Sequence, residues 1–231
     1  MNIAAAILLL QLASVPAGEA ILKRVETALA PVEDYTVALS IVADLEQVNI
    51  PPMDATLYFK KPDKVHVASE SFALLPKDAF SLTPSMILKR FYVTEVLPES
   101  VAGERVYRLQ LAARDERMRV REAWLQVSAE RWTIERGELR LAENRTLALE
   151  FAYTRVETVW LPSEMRLSFS QPPAAQENSP LLDQKPVQGS RRLPLKGSVL
   201  IRYSGYRLNT GLSDSIFPAT SEPTSPEHVQ H

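Results

Sequence analysis

The residue types that most often carry chemistry are few and scattered in this chain of 231 residues. It contains no cysteine, which excludes disulfides, thiolate metal sites and cysteine nucleophiles. Two of its three histidines, His228 and His231, lie at the C-terminus, and His66 has no second histidine nearby. Because zinc prefers clusters of histidine and cysteine, this spacing argues against a metal site. A strand residue facing solvent is the simpler interpretation of His66.

Catalytic motifs are equally scarce. The chain has only seven glycines, with no G-x-S-x-G elbow, no P-loop and no G-x-G-x-x-G. Carboxylates are plentiful, but no pair, for example Glu135 with Glu138, is set apart as an acid and a base flanking a substrate. The sequence therefore predicts a protein that is not an enzyme and that uses neither a metal nor a cofactor.

The charge pattern also restricts the class of partner. The formal net charge is -2, so the basic field that attracts nucleic acid is missing. Residues 114–122 mix both signs of charge, which favours a solvated hairpin. The same run is also compatible with contacts to anionic headgroups or to a partner protein. We therefore expect no binding to nucleic acid.

The N-terminus carries an apolar run. Residues 3–12 are nearly all apolar and are followed by Val15, Pro16 and Ala17, which are short enough for a signal-peptidase site. A run of about ten apolar residues is too short to span a bilayer, which needs roughly 20. Residues 1–17 are therefore predicted to be a signal peptide of an exported, soluble protein. No Lys or Arg precedes the run, so a buried first helix is the alternative.

The mature part of the chain changes its hydrophobic period soon after it starts. Residues 20–30 have apolar side chains at helical spacing and end at Pro31, which predicts a helix. From Tyr35 onward the period is two, which predicts strands. Gly137 and residues 143–145 are predicted to be turns. The predicted strands cover residues 35–42, 55–60, 65–68, 106–112, 122–128, 131–136, 147–153, 165–170 and 197–205.

Three further segments do not follow the strand period. Residues 72–90 are apolar but are interrupted by Pro76 and Pro84, which allows short helices and predicts a flap over the sheet. Residues 172–194 are rich in Pro, Gln and Ser and are predicted to be an exposed loop insertion. Residues 218–231 are predicted to be a disordered tail. The chain as a whole is predicted to be α+β and mainly β, with nine to eleven antiparallel strands in a curled sheet.

An apolar sheet face beneath an apolar flap predicts a dry pocket suited to a lipid. The alternative is that the same residues are simply core. The candidate lipid-binding residues are the bulkier members of the alternating face, Val37, Leu39, Ile41, Leu57, Phe59, Leu149, Phe151, Leu167 and Phe169, together with the flap residues Phe72, Leu75, Phe80, Met86 and Phe91.

Three short stretches resemble a known family. Residues 57–65 contain F-K-K-P-D-K at a predicted hairpin, and residues 161–165 contain an L-P strand entry. Residues 203–217 contain the ending Y-x-x-N-x-G-L-x-D-x-x-F, in which Asn209 and Gly211 suit a turn with positive φ and Phe217 can plug the core. With the order of elements over residues 20–217, these stretches resemble the LolA-like lipoprotein carriers and lipoprotein-sorting proteins of the Gram-negative periplasm.

The resemblance implies a single domain over residues 20–217. Its fold would be an incomplete antiparallel β-barrel covered by an N-terminal helix and a short helical flap. It further implies a monomeric periplasmic carrier that binds the acyl chains of a lipid or lipoprotein for transport toward the outer membrane, with transfer partners at the inner and outer membranes. A related role, as an envelope-stress sensor or protein-interaction module, is the alternative.

Overall fold

The computed structural model describes residues 16–46, 48–69, 83–115, 117–118, 120–141, 145–170 and 196–217. Most of the predicted signal peptide, the predicted insertion at 172–194 and the predicted tail at 218–231 lie outside these residues. Residues 70–82 lie outside them too, and they include three of the predicted binding residues, Phe72, Leu75 and Phe80.

The described residues form two helices and eleven strands. The helices are α1 (Gly18–Ala28) and α2 (Pro84–Arg90), and neither is long and apolar enough to cross a bilayer. The strands are β1 (Asp34–Leu45), β2 (Val48–Asn49), β3 (Met53–Lys60), β4 (Lys64–Ala68), β5 (Phe91–Val101), β6 (Glu104–Ala113), β7 (Val120–Ser128), β8 (Ile134–Leu141), β9 (Thr146–Val156), β10 (Val159–Ser170) and β11 (Gly197–Leu208).

Ten of the described strands form one antiparallel sheet in the order β4-β3-β1-β11-β10-β9-β8-β7-β6-β5, and β2 pairs with the end of β1. Strand β11, the last strand in the sequence, lies between β1 and β10 and so joins the early strands β1, β3 and β4 to the strands β5 to β10. The outer strands β4 and β5 do not pair with each other. The predicted fold, an incomplete curled barrel with helices, is therefore confirmed.

Helix α1 packs over one half of the sheet. Its stripe of Ile21, Leu22 and Val25 is buried, and together with Ile87 of α2 it forms a core cluster with β5 to β8. The helix begins at Gly18, two residues before the predicted position, and its first turn approaches β5 closely. A Cβ atom at Gly18 would collide with the side chain of Val93.

The other half of the sheet has its own core cluster, formed by alternate residues of β1, β3, β9, β10 and β11. Strand neighbours such as Val37 with Leu57, and Leu149 with Leu167, lie opposite each other and therefore share this face. Leu139 of β8 packs against both clusters. The inner face is thus apolar along its whole width, as its period of two predicts.

The C-terminal turn is tied to the start of β1. Asn209 and Gly211 have φ values of +54° and +71°, which confirms the predicted turn. The buried Asp34 carboxylate accepts hydrogen bonds from the backbone amides of residues 210, 211 and 212 at 2.8, 2.9 and 3.2 Å, and from the Thr210 hydroxyl at 3.2 Å. Phe217, expected to plug the core, is only half-buried.

Three features of the strands differ from the sequence prediction. The strand predicted at residues 131–136 begins only at Ile134, because residues 129–131 form a turn after β7. Gly137 lies inside β8 and not in a turn, because the missing side chain makes room for Leu125, whose Cδ2 would lie 2.8 Å from an added Cβ. Strand β5 was not predicted, and Phe91, assigned to the flap, is its first residue. A bulge after Val93 and the exposure of this edge strand interrupt its apolar alternation, which hides it from a search for period two.

Candidate functional site

A cavity of about 500 Å³ lies between the helices and the inner face of the sheet. Both core clusters contribute to it, so it occupies the region where the two halves of the sheet meet under α1 and α2. Most of its surface is apolar. The aliphatic and phenyl side chains that line it are Val25, Leu29, Val32, Leu57, Phe59, Ile87, Phe91, Leu111, Leu125, Leu139, Leu149, Phe151, Val159, Leu161 and Met165.

The local sequence explains why this wall is apolar. Along β9, Leu149, Phe151 and Tyr153 point to the inner face, since side chains alternate along a strand. Met165 of β10 lies opposite Phe151 and extends the same row across the sheet. On α2, Thr83 caps the helix by accepting a hydrogen bond from the Met86 amide at 3.4 Å, which starts the helix at the cavity edge.

Three tyrosines, Tyr35, Tyr153 and Tyr203, are among the polar residues that line the cavity. Tyr35 stacks on Phe59 with ring centroids 5.0 Å apart and meets Tyr206 edge-on at 5.6 Å. Tyr153 donates its hydroxyl to the carbonyl of Ile134 at 2.6 Å. Burial raises the pKa of Tyr35 and of Tyr153 above the ordinary value, so both phenols are neutral at physiological pH. The cavity therefore presents uncharged hydroxyls to a ligand.

The two basic side chains that line the cavity, Arg131 and Lys61, are paired, whereas Glu26 and Glu130 are exposed. One guanidinium nitrogen of Arg131 donates to Glu104 at 3.1 Å and also to Glu135, and the bond to Glu135 is the main cause of a raised pKa of Arg131. Lys61 donates to the carbonyl of residue 30 at 2.7 Å and lies 3.5 Å from a carboxylate oxygen of Glu33. Within the part of the chain that the structure describes, no three His, Cys, Asp or Glu side chains are placed to hold a metal ion.

The predicted binding residues fall into four groups. Five line the cavity: Leu57, Phe59, Phe91, Leu149 and Phe151. Five belong to the core cluster and do not border the cavity: Val37, Leu39, Ile41, Leu167 and Phe169. Met86 is half-buried on α2 away from the lining, and Phe72, Leu75 and Phe80 lie outside the described residues.

Sequence reasoning missed the lining contributed by the helices, by β6 to β8 and by the tyrosines and tryptophans. The alternation of β6 and β7 indicated that Leu111 and Leu125 share one face, and this could have identified them as lining residues. The sequence contained no comparable signal for Trp132 and Trp160. Trp132 lies in the turn after β7 with a φ of +54°, and Trp160 lies in the β10 segment before the predicted strand begins.

No protein-family model matches this sequence, and no curated protein matches it. Solved structures do match. A DUF1329 family protein from Desulfovibrio piger has a TM-score of 0.59 at 13% identity, covering 87% of this chain and 96% of that one. A domain from Vibrio parahaemolyticus named as an outer membrane lipoprotein-sorting protein has a TM-score of 0.61 at 12% identity, covering 86% and 94%.

A LolA superfamily protein from Nitrosomonas europaea has a TM-score of 0.56 at 12% identity, covering 88% of this chain and 98% of that one. Identities this low show a shared fold and nothing finer. The short motifs at residues 57–65, 161–165 and 203–217 pointed to the same group of proteins. This chain therefore has, over most of its length, the fold of LolA-superfamily and lipoprotein-sorting proteins.

Proposed function

We propose that this protein is a carrier, not an enzyme, and that it holds the acyl chain of a lipid or lipoprotein in the cavity under α1 and α2. The observation that supports this most strongly is an apolar cavity of about 500 Å³ in a folded core. Small-molecule sites typically enclose about 300–1,000 Å³ and are mostly apolar with few polar groups. The paired basic side chains and neutral phenols of this cavity fit that description.

The energetics favour an aliphatic ligand. Each buried methylene contributes about 0.8 kcal/mol, so an acyl chain needs no charged anchor to bind. A charged group placed among Leu57, Leu149 and Met165 would lose its hydration without gaining a partner. The polar end of the ligand should therefore lie near Arg131 and Lys61, which line the cavity with side chains that are 33% and 31% exposed.

Location and partners are part of the same proposal. The apolar run at residues 3–12 and the short residues at 15–17 support export, and a LolA-like fold supports work in the periplasm. We propose a monomeric carrier with a single ligand-binding domain over residues 20–217, which exchanges its ligand with transport partners at the inner and outer membranes.

Lipid should remain bound to the protein after mild purification. We expect native mass spectrometry to show adducts of lipid mass and solvent extraction to release acyl chains. Removal of the lipid should lower the apparent free energy of unfolding, by about 2.7 kcal/mol when the free ligand had been at 100 times its Kd. If no preparation contains lipid and palmitate does not raise the melting temperature, the carrier proposal fails.

A cavity-filling variant gives a second test. Ala28, at the end of α1, borders the cavity and is half-buried, so Ala28→Trp should place an indole in the empty space. We expect palmitate affinity to fall at least tenfold, about 1.4 kcal/mol, while the melting temperature stays equal or rises. Thr27→Trp, on the exposed side of the same turn, is the matched control and should bind normally. Equal affinities in the two variants would show that acyl chains do not use this cavity.

A further inference from the structure

A second cavity, of about 640 Å³, lies on the other face of the sheet. Gln126, Arg136, Glu150 and Arg166 line it, and each lies opposite the next on neighbouring strands from β7 to β10. The core residues Leu125 and Leu149 alternate with this row, so the row faces away from the core. We call this second cavity the outer groove.

The outer groove and the inner cavity share four lining residues, Arg131, Phe151, Tyr153 and Trp160. The two cavities meet beside the start of β8, where β9, paired with β10, extends beyond its pairing with β8. The pairing of β8 with β9 ends at Arg136 with Glu150, so β9 residues 151–156 are not paired with β8. The side chains of these four shared residues therefore border both spaces.

The outer groove carries both signs of charge. Its four acidic residues are Glu104, Glu135, Glu150 and Glu164. Its three basic residues are Arg131, Arg136 and Arg166. Opposite charges are interleaved across the strands, as in the ion pair of Arg136 with Glu150 at 4.0 Å. A purely anionic group would face an excess of carboxylates, and a purely cationic group would lie beside three guanidinium groups.

Some of these donors have capacity for a ligand. The Arg136–Glu150 and Arg166–Glu164 pairs, at 4.0 and 3.7 Å, are too long for hydrogen bonds. At the junction, the Nε of Arg131 is buried and has no hydrogen-bond partner among the residues that the structure describes. A phosphate oxygen is a strong acceptor for such guanidinium groups.

We propose that the outer groove binds the zwitterionic headgroup, a phosphate joined to an ammonium, of an amphiphile whose acyl chain occupies the inner cavity. The phosphate faces the arginines, and the ammonium faces the glutamates. This inference rests on the proposed function, because it needs the acyl chain in the inner cavity. It adds to that function the class of headgroup and the route of the amphiphile, which would pass from one cavity to the other at Tyr153 and Trp160.

Three probes with the same palmitoyl chain test the inference: palmitate, lysophosphatidylethanolamine and lysophosphatidylglycerol, each below its aggregation concentration. Tryptophan fluorescence of the full chain reports binding, since Trp160 lies at the junction. We expect the ethanolamine lipid to bind about tenfold more tightly than palmitate, as one or two charge-assisted hydrogen bonds allow. Arg136→Glu should reduce that preference to about threefold or less and leave palmitate binding unchanged.

Arg140→Glu is the matched control. Arg140 lies on the same strand and face as Arg136, is ion-paired to Glu122 at 2.9 Å, and does not line the outer groove. It should keep the full preference, and Arg136→Gln repeats the test if charge reversal prevents folding. An equal loss in the control, or no preference in the unmodified protein, overturns the headgroup site. Tighter binding of the glycerol lipid overturns the zwitterionic match. Failure of all three probes to bind overturns acyl binding itself.

Discussion

Asp34→Ala should lower the free energy of unfolding by about 3 kcal/mol, measured by urea denaturation at neutral pH. The Asp34 side chain belongs to a residue that is only 3% exposed, and its two carboxylate oxygens accept four hydrogen bonds from Thr210, Gly211 and Leu212. Alanine leaves those donors without their acceptor. We call these four hydrogen bonds, which tie the start of β1 to the C-terminal turn, the Asp34 clasp. Their loss should detach the turn from β1 before the rest of the sheet unfolds.

Asp34→Asn tests the same clasp with little change of shape. An amide offers one acceptor oxygen and turns an NH2 group toward backbone donors, so most of the loss should remain. Asp44→Asn is the control, because Asp44 lies on the same strand with an exposed side chain. We expect the control to stay within about 0.5 kcal/mol of the unmodified protein. If Asp34→Asn matches Asp44→Asn, the carboxylate clasp does not stabilise the fold.

The clasp should also make stability sensitive to acid. Burial alone raises the pKa of Asp34, but the amide donors of Thr210, Leu212 and Gly211, with the Thr210 hydroxyl, outweigh it and lower the pKa below the ordinary 3.8. A carboxyl with a lowered folded pKa contributes its full stability above the unfolded pKa and loses it as pH falls through the folded pKa. The unmodified protein should lose stability below about pH 4 more steeply than Asp34→Ala does. Parallel curves would contradict this assignment.

Gly197→Ala should be comparably destabilising, by about 3 kcal/mol or more, in the same denaturation assay. Gly197 begins β11 between Leu45 of β1 and Phe169 of β10, with a φ of +148°. An added Cβ would collide with the backbone oxygen of Asp44 and lie 2.8 Å from the Leu45 Cα. Backbone atoms of a central strand cannot move aside without breaking the pairing.

Gly205→Ala separates the collision from the backbone strain. Gly205 also has a positive φ, +67°, but an added Cβ would have open space around it. Only the conformational cost applies there, and we expect a loss of about 1–2 kcal/mol. Similar losses in the two variants would mean that the contact with Asp44 and Leu45 does not restrict this end of β11.

Local signals in the sequence were sufficient for much of the fold. The helical spacing of Ile21, Leu22 and Val25 predicted α1, and the alternation from Tyr35 predicted β1, since both periods depend only on residues close in the chain. Edge strand β5 was not predicted, because its exposure and its bulge interrupt the alternation of apolar and polar residues. Gly137 was misread as a turn residue, because a glycine required by a side chain on another strand looks like one required by a turn.

The pairing of distant segments came only from the tertiary structure. The hairpin motif and the C-terminal motif were recognised separately in the sequence. The fold brings them into contact, with Lys60 and Lys64 lying 2.6 and 2.9 Å from the carboxylate of Asp214. Likewise, nothing in the local sequence places Asp34 against residues 210–212, which are about 176 positions away.

The sequence by itself determined that one face of the sheet is apolar, and it contains no cysteine, no G-x-S-x-G elbow and no P-loop. It did not determine where that face is filled and where it encloses empty space. Leu39 and Leu149 follow the same alternation, yet Leu39 is packed in the core and Leu149 borders the cavity. Alternation sets the direction of a side chain, whereas a cavity is set by the distant helices and strands that cover it or leave it uncovered.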